Sequence, residues 1–570
     1  PVNAILSLGT SGRENSGVKI TNNNIYDFFQ PGSTSYGVNI YTYSTDFTIS
    51  NNSLYETTSF TPTSAAANYY PISLTGSHTV SGNYIGGSAA NCSGTFTKNN
   101  GYGNQFVGIT LNNSSTTAAS IQGNVIKNIS WSNTGNSLWY GIYIQAGKVN
   151  IGTVTGNTIG SGTGTSAISV TNTTTGANVM GINISSSDSV SCQNNIVGAI
   201  TGTNGATLAT NIYGIYKSAS TGVTVISKNT IGSTTTSNSI NASSTSTSNP
   251  QYVFGISSDG TGNVTISENV IANLNNATSN TTTSTAGRIN GITLNAGSAN
   301  TVTDNTIRNL SIANANNTTG TTASVIGINL YSTNPTRTIS GNTIYNLSNS
   351  YTSFTGHIHG IYYEGSTSGT NTVSRNFIYG LTTAATSGSP VINGIRIVSG
   401  ATTYSNNIIN IGTTGVSSRN IIYGIYDTGA ASQTCNLYFN TIYLAGTEGG
   451  ANNSANLYSA ANNNTRDFRN NIYSNARTGG TGAHYCAYFN YTNTTGLTSN
   501  YNDYYRTGTT SYIARYNATN YTTLPFGADV SGNSLIQNPT FNSAGSTVAT
   551  DYKVGVTLNG INTTGITTDY

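Results

Sequence analysis

The sequence predicts an all-β chain, a parallel β-helix (solenoid) of about 15 coils with a less regular C-terminal closing region. Three observations carry this prediction. An Asn-centred motif returns about every 34 residues. A Gly-Ile motif lies between successive Asn positions, and no helical pattern separates them. The composition also disfavours helix, with 6% charged residues, one Met and 65 Gly, where soluble domains carry about 25% charge.

The Asn motif reads Val264-Thr265-Ile266-Ser267-Glu268-Asn269-Val270-Ile271, and recurs as Thr338-Ile339-Ser340-Gly341-Asn342-Thr343-Ile344. Its Asn is followed from Asn23 through Asn52, Asn83, Asn124, Asn157 and Asn194, then on to Asn440 and Asn471. The second motif stands as Tyr140-Gly141-Ile142-Tyr143-Ile144, Ile326-Gly327-Ile328-Asn329-Leu330 and Tyr423-Gly424-Ile425-Tyr426. Each repeat therefore offers three short segments that alternate with period two and carry β-branched residues, the pattern of strands with one buried face. The spacing from Gly to the next Asn is nearly constant, whereas that from Asn to the next Gly varies, so one arc of each coil is held and the other is a loop. A β-propeller would need hairpin-linked strands and no more than about eight blades.

The motif Asn is expected at a corner, where it tolerates left-handed backbone angles and its amide stacks on the Asn of the neighbouring coils. The Gly is expected to relieve crowding at a second corner. Residues 1–475 are assigned to regular coils, and residues 476–570 to irregular coils that continue the same solenoid. At about 4.8 Å per coil the stack would be a rod about 70 Å long. Strand-like residues 4–8 lack an evident cap, which makes homotypic end-to-end pairing a candidate assembly.

Composition also excludes function classes. A net charge of +3 over 570 residues, with no Lys/Arg cluster, is no nucleic-acid surface. No apolar run is long enough for a transmembrane helix. Cys92, Cys192, Cys435 and Cys486 show no metal-binding spacing and read as small buried hydrophobes. Cys92 and Cys192, about three coils or about 14 Å apart, are too distant to bond. No cofactor is implied.

Sugar hydrolysis needs two carboxyl groups about 5–9.5 Å apart. Glu268 and Asp304 share a repeat position and are expected as neighbours, but Lys228 and Arg375 share that column, as in a solvated mixed-charge corner. His357, His359 and Glu364 are weak metal candidates, with Arg396 and Asp427 expected in the next two coils. Two exposed polar positions are the simpler reading of the His pair, so no catalytic or metal residue is assigned.

Tyrosine, present 38 times, is the stronger signal. Tyr345, Tyr379, Tyr443 and Tyr473 follow the motif Ile and are expected to point outward, as candidates for stacking against glycans. Tyr143, Tyr216, Tyr362 and Tyr426 follow Gly-Ile. Cross-strand packing alone would also account for these rings.

The repeat at Ile339-Ser340-Gly341-Asn342-Thr343-Ile344-Tyr345-Asn346-Leu347 resembles those of secreted bacterial right-handed parallel β-helix proteins, particularly the long cell-surface proteins of Bacteroidetes, which implies a right-handed coil. Phe468-Arg469-Asn470-Asn471-Ile472-Tyr473 resembles their last regular repeat, and Leu535-Ile536-Gln537-Asn538-Pro539 a closing coil. The resemblance spans essentially the whole chain. It implies a bacterial cell-surface location, export as type IX secretion cargo and membership of a longer precursor. Asp188-Ser189-Val190 resembles the O-glycosylation sequence of that group.

The expected function is therefore a non-enzymatic, extracellular structural or adhesive protein forming part of a surface fibre. A polysaccharide-binding module using the Tyr columns is the alternative, and a polysaccharide-degrading β-helix enzyme the second alternative.

Overall fold

The computed structural model describes residues 2–555 other than 136, 175, 206–207, 285–286, 333, 335, 413–418, 431, 462, 509 and 531. Strand makes up 52% and helix 2%, arranged as a parallel β-solenoid of about 14 turns. Two compact units can be distinguished, Pro1–Ile292 and Thr293–Tyr570.

Within each unit a coil gives one strand to each of three parallel sheets. In the first unit the Gly-Ile sheet contains Phe106–Asn112, Ser137–Ala146, Ala177–Ile184 and Thr210–Lys217. The Val-Thr sheet contains Ala119–Gln122, Val149–Ile151 and Val190–Gln193, and the Asn-Ile sheet Val125–Ile126, Thr158–Gly160 and Ile196–Gly198. The second unit repeats the plan: its Gly-Ile sheet runs from Val325–Tyr331 through His357–Glu364, Val391–Ser399, Ile421–Asp427, Ser454–Ser459 and His484–Phe489 to Ser511–Tyr516. Register is kept from coil to coil, so identical side chains stack. Ile142 faces Ile182, which faces Ile215, all fully buried. Each such Ile stabilises by about 1.5–3 kcal/mol through burial.

The stacked Asn side chains form the expected ladder. Asn83 Nδ2 donates to Asn124 Oδ1 at 2.9 Å, and the same oxygen accepts the Asn83 backbone N–H at 3.0 Å. The second amide hydrogen of Asn83 goes to Ile49 O of the preceding coil at 2.8 Å. Asn342, Asn376, Asn407, Asn440 and Asn471 repeat this in the second unit.

Three details differ from the sequence reading. Asn195, not Asn194, holds the ladder position, accepting from Asn157 and donating to Asn229 at 2.9 Å. The left-handed corner residue is the one before the ladder Asn, as at Asn51, Asn194, Lys228, Glu268, Asp304 and Arg375. The ladder Asn keeps ordinary angles because its amide must point inward along the stack. Left-handed Asn occurs later in the motif instead, at Asn128, Asn309 and Asn346, where the Asn-Ile strand bends. The Gly of Gly-Ile, finally, lies in mid-strand. A Cβ on Gly141 would stand 2.5 Å from Gly181 O and 2.8 Å from Ile159 Cγ2, so the narrow core excludes any side chain there.

At the C-terminal end the ladder continues to Asn502, whose backbone N–H donates to Ser534 Oγ at 3.0 Å. Leu535 adds a last parallel bridge to Asp503. Ser511–Tyr516 then pairs antiparallel with Thr519–Tyr521, which turns the sheet edge away from further parallel addition. In the first unit the Gly-Ile strand Asn3–Ser7 pairs with Ser35–Ile40.

Several charges are buried, which the low charge content did not announce. Lys98 Nζ is enclosed by Asn133 Oδ1 at 2.8 Å, Tyr102 O at 3.0 Å and Ser132 O at 2.5 Å. Arg477 and Glu448 form a fully buried ion pair at 2.7 Å. Glu56 accepts from Tyr69 Oη at 2.7 Å and from the Phe29 N–H at 3.1 Å, yet burial pushes its carboxyl up from 4.5 to about 7.

Two stability predictions follow from this packing. Asn124→Ala strips the acceptor from two buried Asn83 donors and should cost more than about 3 kcal/mol in urea unfolding. Exposed Asn150→Ala should stay within about 0.5 kcal/mol. Because the folded state holds the Glu56 proton more tightly than the unfolded chain, its contribution is full below pH 4.5 and lost as pH rises towards about 7. Glu56→Gln should flatten that part of the stability–pH profile.

Candidate functional site: aromatic columns on the outer faces

The four Tyr that follow the motif Ile do not form one open stripe. Tyr345 and Tyr379 occupy consecutive coils and stack at 4.7 Å with 6° between ring planes. Tyr379 is buried, and Tyr345 and Tyr443 are half-buried. The chain's own C-terminal segment covers them: Phe541 and Tyr552 pack on Phe377, Tyr379 and Tyr443. Asn410 Nδ2 holds the segment by donating to Ser546 O at 3.0 Å, and Tyr552 Oη donates to the same carbonyl at 3.1 Å.

Tyr473 departs further from expectation. Its coil keeps register, with Asn440 bonded to Asn471, but the motif lacks the residue between Asn and Ile, so that Ile442 faces Tyr473 and Tyr443 faces Ser474. A one-residue shift reverses which face a side chain takes. Tyr473 therefore points into the core, stacked on Tyr504 at 5.6 Å, with its hydroxyl pushed well above the usual range by burial.

His359 is buried and His357 half-buried, rather than both exposed. His359 is fully enclosed, its Nδ1 3.0 Å from Asn393 Nδ2, and its ring lies 5.6 Å from that of His357. Burial, with Arg396 nearby, holds His357 down to about 4. Glu364 accepts the Tyr362 hydroxyl at 2.9 Å. Asp427 lies opposite Ile397 rather than Arg396 and faces inward, its carboxylate held by the Gly429 N–H at 2.9 Å and Ser459 Oγ at 3.1 Å. Among the described residues no group of three or more His, Cys, Asp or Glu could hold a metal ion. Glu268 pairs with Lys228 at 3.8 Å, both side chains more than half exposed. All four Cys are buried and free.

Further half-exposed rings lie on the outside of the Gly-Ile sheets. In the second unit the residue after Gly-Ile forms a column in unbroken register: Tyr362, Arg396, Tyr426, Tyr458, Tyr488 and Arg515. Tyr423 and Tyr485, the residues before Gly-Ile or its equivalent, flank this column. Tyr458 stacks on Tyr488 at 4.7 Å, and Tyr423 lies 4.8 Å from Tyr426 and from Tyr458. The Arg396 guanidinium sits 4.0 Å above the Tyr426 ring and that of Arg515 5.3 Å from Tyr488. In the first unit the same positions carry Tyr140 and Tyr143, 5.0 Å apart, and Tyr213 and Tyr216, 5.2 Å apart around Met180. Tyr216 donates to Asp259 Oδ2 at 2.6 Å.

Two concavities bear on ligand binding, one of them at the second unit's column. One, of about 240 Å³, is lined by Tyr488, Asn490, Tyr491, Arg515 and Asn517 at the end of the second unit's column. The other, of about 580 Å³, lies in the first unit between Glu14, Tyr43, Asp46 and several Ser and Thr hydroxyls.

Sequence reasoning registered Tyr362 and Tyr426 as Gly-Ile followers but missed Tyr458 and Tyr488. Their coils replace the Gly by Asn456 and Cys486, which hides the motif. The signal that would have found them is the spacing of Tyr426, Tyr458 and Tyr488.

The seal over Tyr379 is testable. Tyr552→Ala should raise the nitration of Tyr379 by tetranitromethane several-fold, read by peptide mass spectrometry, while Tyr473 stays unmodified. No family model matches the chain, and neither a curated protein nor a solved structure does. The parallel β-solenoid itself is what stands of the resemblance read from the repeats.

Proposed function

We propose that this chain is a non-enzymatic, extracellular adhesive scaffold, in which the solenoid holds rows of Tyr rings at coil spacing against polysaccharide. The observation that carries this reading is the Tyr423, Tyr426, Tyr458 and Tyr488 lattice, half-exposed on a sheet whose backbone is fixed on both sides by neighbouring coils. The axial C–H groups of a pyranose carry slight positive charge and suit the negative face of an aromatic ring. Tyr has few rotatable bonds, so little side-chain entropy is lost on contact. The nearly neutral surface, rich in Asn, Thr and Ser, supports an extracellular setting. So does Ser189, exposed in the turn before Val190–Gln193, where a glycan could be attached.

Part of the expected fibre role is included, as a scaffold component rather than a self-polymer. Head-to-tail growth through Ser511–Tyr516 would have to displace Thr519–Tyr521.

The test is affinity electrophoresis in gels containing soluble polysaccharides. The chain should be retarded by at least one of them. Tyr458→Ala and Tyr488→Ala should each reduce the retardation by about tenfold in affinity, while Tyr379→Ala leaves it unchanged. Retardation by none of a broad panel, or release of reducing sugar from one, would sink the adhesive reading. In the latter case the hydroxyl-rich cavity beside Glu14 and Asp46 becomes the first place to mutate.

A further inference from the structure

The column in the second unit is not uniformly aromatic. Arg396 follows Tyr362 and Arg515 closes it, with Tyr426, Tyr458 and Tyr488 between the two Arg in strict register. Four coil steps separate the two guanidiniums, about 19 Å along the stack at about 4.8 Å per coil. Among the described residues, neither Arg has a carboxylate within ion-pair distance. Arg396 is turned partly to the backbone, NH1 donating to Ile397 O and Tyr426 O at 3.3 Å each. Arg515 has one long contact, NH1 to Tyr485 Oη at 3.5 Å, and lines the 240 Å³ concavity together with Tyr488 and Asn517.

We infer that this column binds a linear polysaccharide bearing carboxylates, with sugar rings lying along Tyr426, Tyr458 and Tyr488 and a uronate carboxylate seated on Arg515. This rests on the sugar-contact reading above and adds the ligand's charge. The argument is one of complementarity. A guanidinium presents a planar fork of donors that matches a carboxylate. Stacking on Tyr488 fixes the plane of that fork, so less freedom is lost when the ligand arrives. A protein partner would also favour Tyr and Arg. However, rings repeated at one spacing along one axis match a ligand that is itself linear and repeating better than they match an irregular protein surface.

The experiment uses alginate oligomers and the same oligomers with their carboxyl groups chemically reduced to neutral alcohols, titrated against the whole chain by calorimetry. The acidic oligomer should bind at least about tenfold more tightly than its reduced form, and added salt should weaken only the acidic one. Arg515→Gln should abolish that preference while leaving the reduced oligomer's affinity in place, which also shows that the variant is folded. Equal binding of both oligomers would overturn the acidic assignment and leave the sugar-contact reading standing. Acid preference that survives both Arg515→Gln and Arg396→Gln would overturn the placement on this column. Binding of neither oligomer, with a protein captured on this face instead, would overturn both readings.

Discussion

A single hydrogen-bonding arrangement fixes the coil-to-coil geometry on which the other features depend. Each ladder Asn oxygen accepts two hydrogens from the coil before it, one from the backbone and one from the neighbouring amide. Its own amide nitrogen spends one hydrogen on the next Asn and one on a carbonyl of the previous coil. The group is thus satisfied although buried, which removes the penalty a lone buried amide would carry. The same bonds hold the register, since a coil displaced by one residue would lose them all. Register in turn aligns the inward Ile stack and every outward column.

The core is narrow, and this narrowness explains the second invariant. Where the Gly-Ile sheet passes the Asn-Ile sheet, an opposing Ile fills the space a Cβ would need, as Ile159 does at Gly141 and Ile378 at Gly360. Where Gly gives way, the replacement does different work: Asn456 donates to the carbonyls of Ile442 and Ser474 at 2.8 and 2.9 Å, bridging strands of the Asn-Ile sheet. Buried cations have a related role. Lys98 and Arg337 turn towards oxygens of adjoining segments, Arg337 reaching Gly297 O and Ser332 Oγ at 2.6 Å each. They hold segments that have no ladder of their own.

The outer faces divide by what covers them. On the Asn-Ile face of the second unit, the folded-back segment around Phe541 and Tyr552 treats the Tyr345, Tyr379 and Tyr443 rings as core. On the Gly-Ile face the rings touch one another at 4.7–4.9 Å and keep an open side. The same residue type in the same repeat thus serves two purposes, according to whether another part of the chain lies over it.

By itself the sequence determined the class of fold, the three strands per coil and the Asn and Gly columns. These are properties of a repeat, and a repeat is legible because each coil meets only its neighbours. It misplaced Asn194 by one position because Asn194 and Asn195 are adjacent, and only the direction of the amide tells corner from ladder. The inward turn of Tyr473 was also in the sequence, because Ile472 follows Asn471 directly. The tertiary structure alone decided that His359 and Asp427 are buried and which Tyr column stays open. The reason is physical. A segment returning from over 150 residues away to Tyr379 and a guanidinium lying over a ring are long-range contacts, and no local periodicity encodes them.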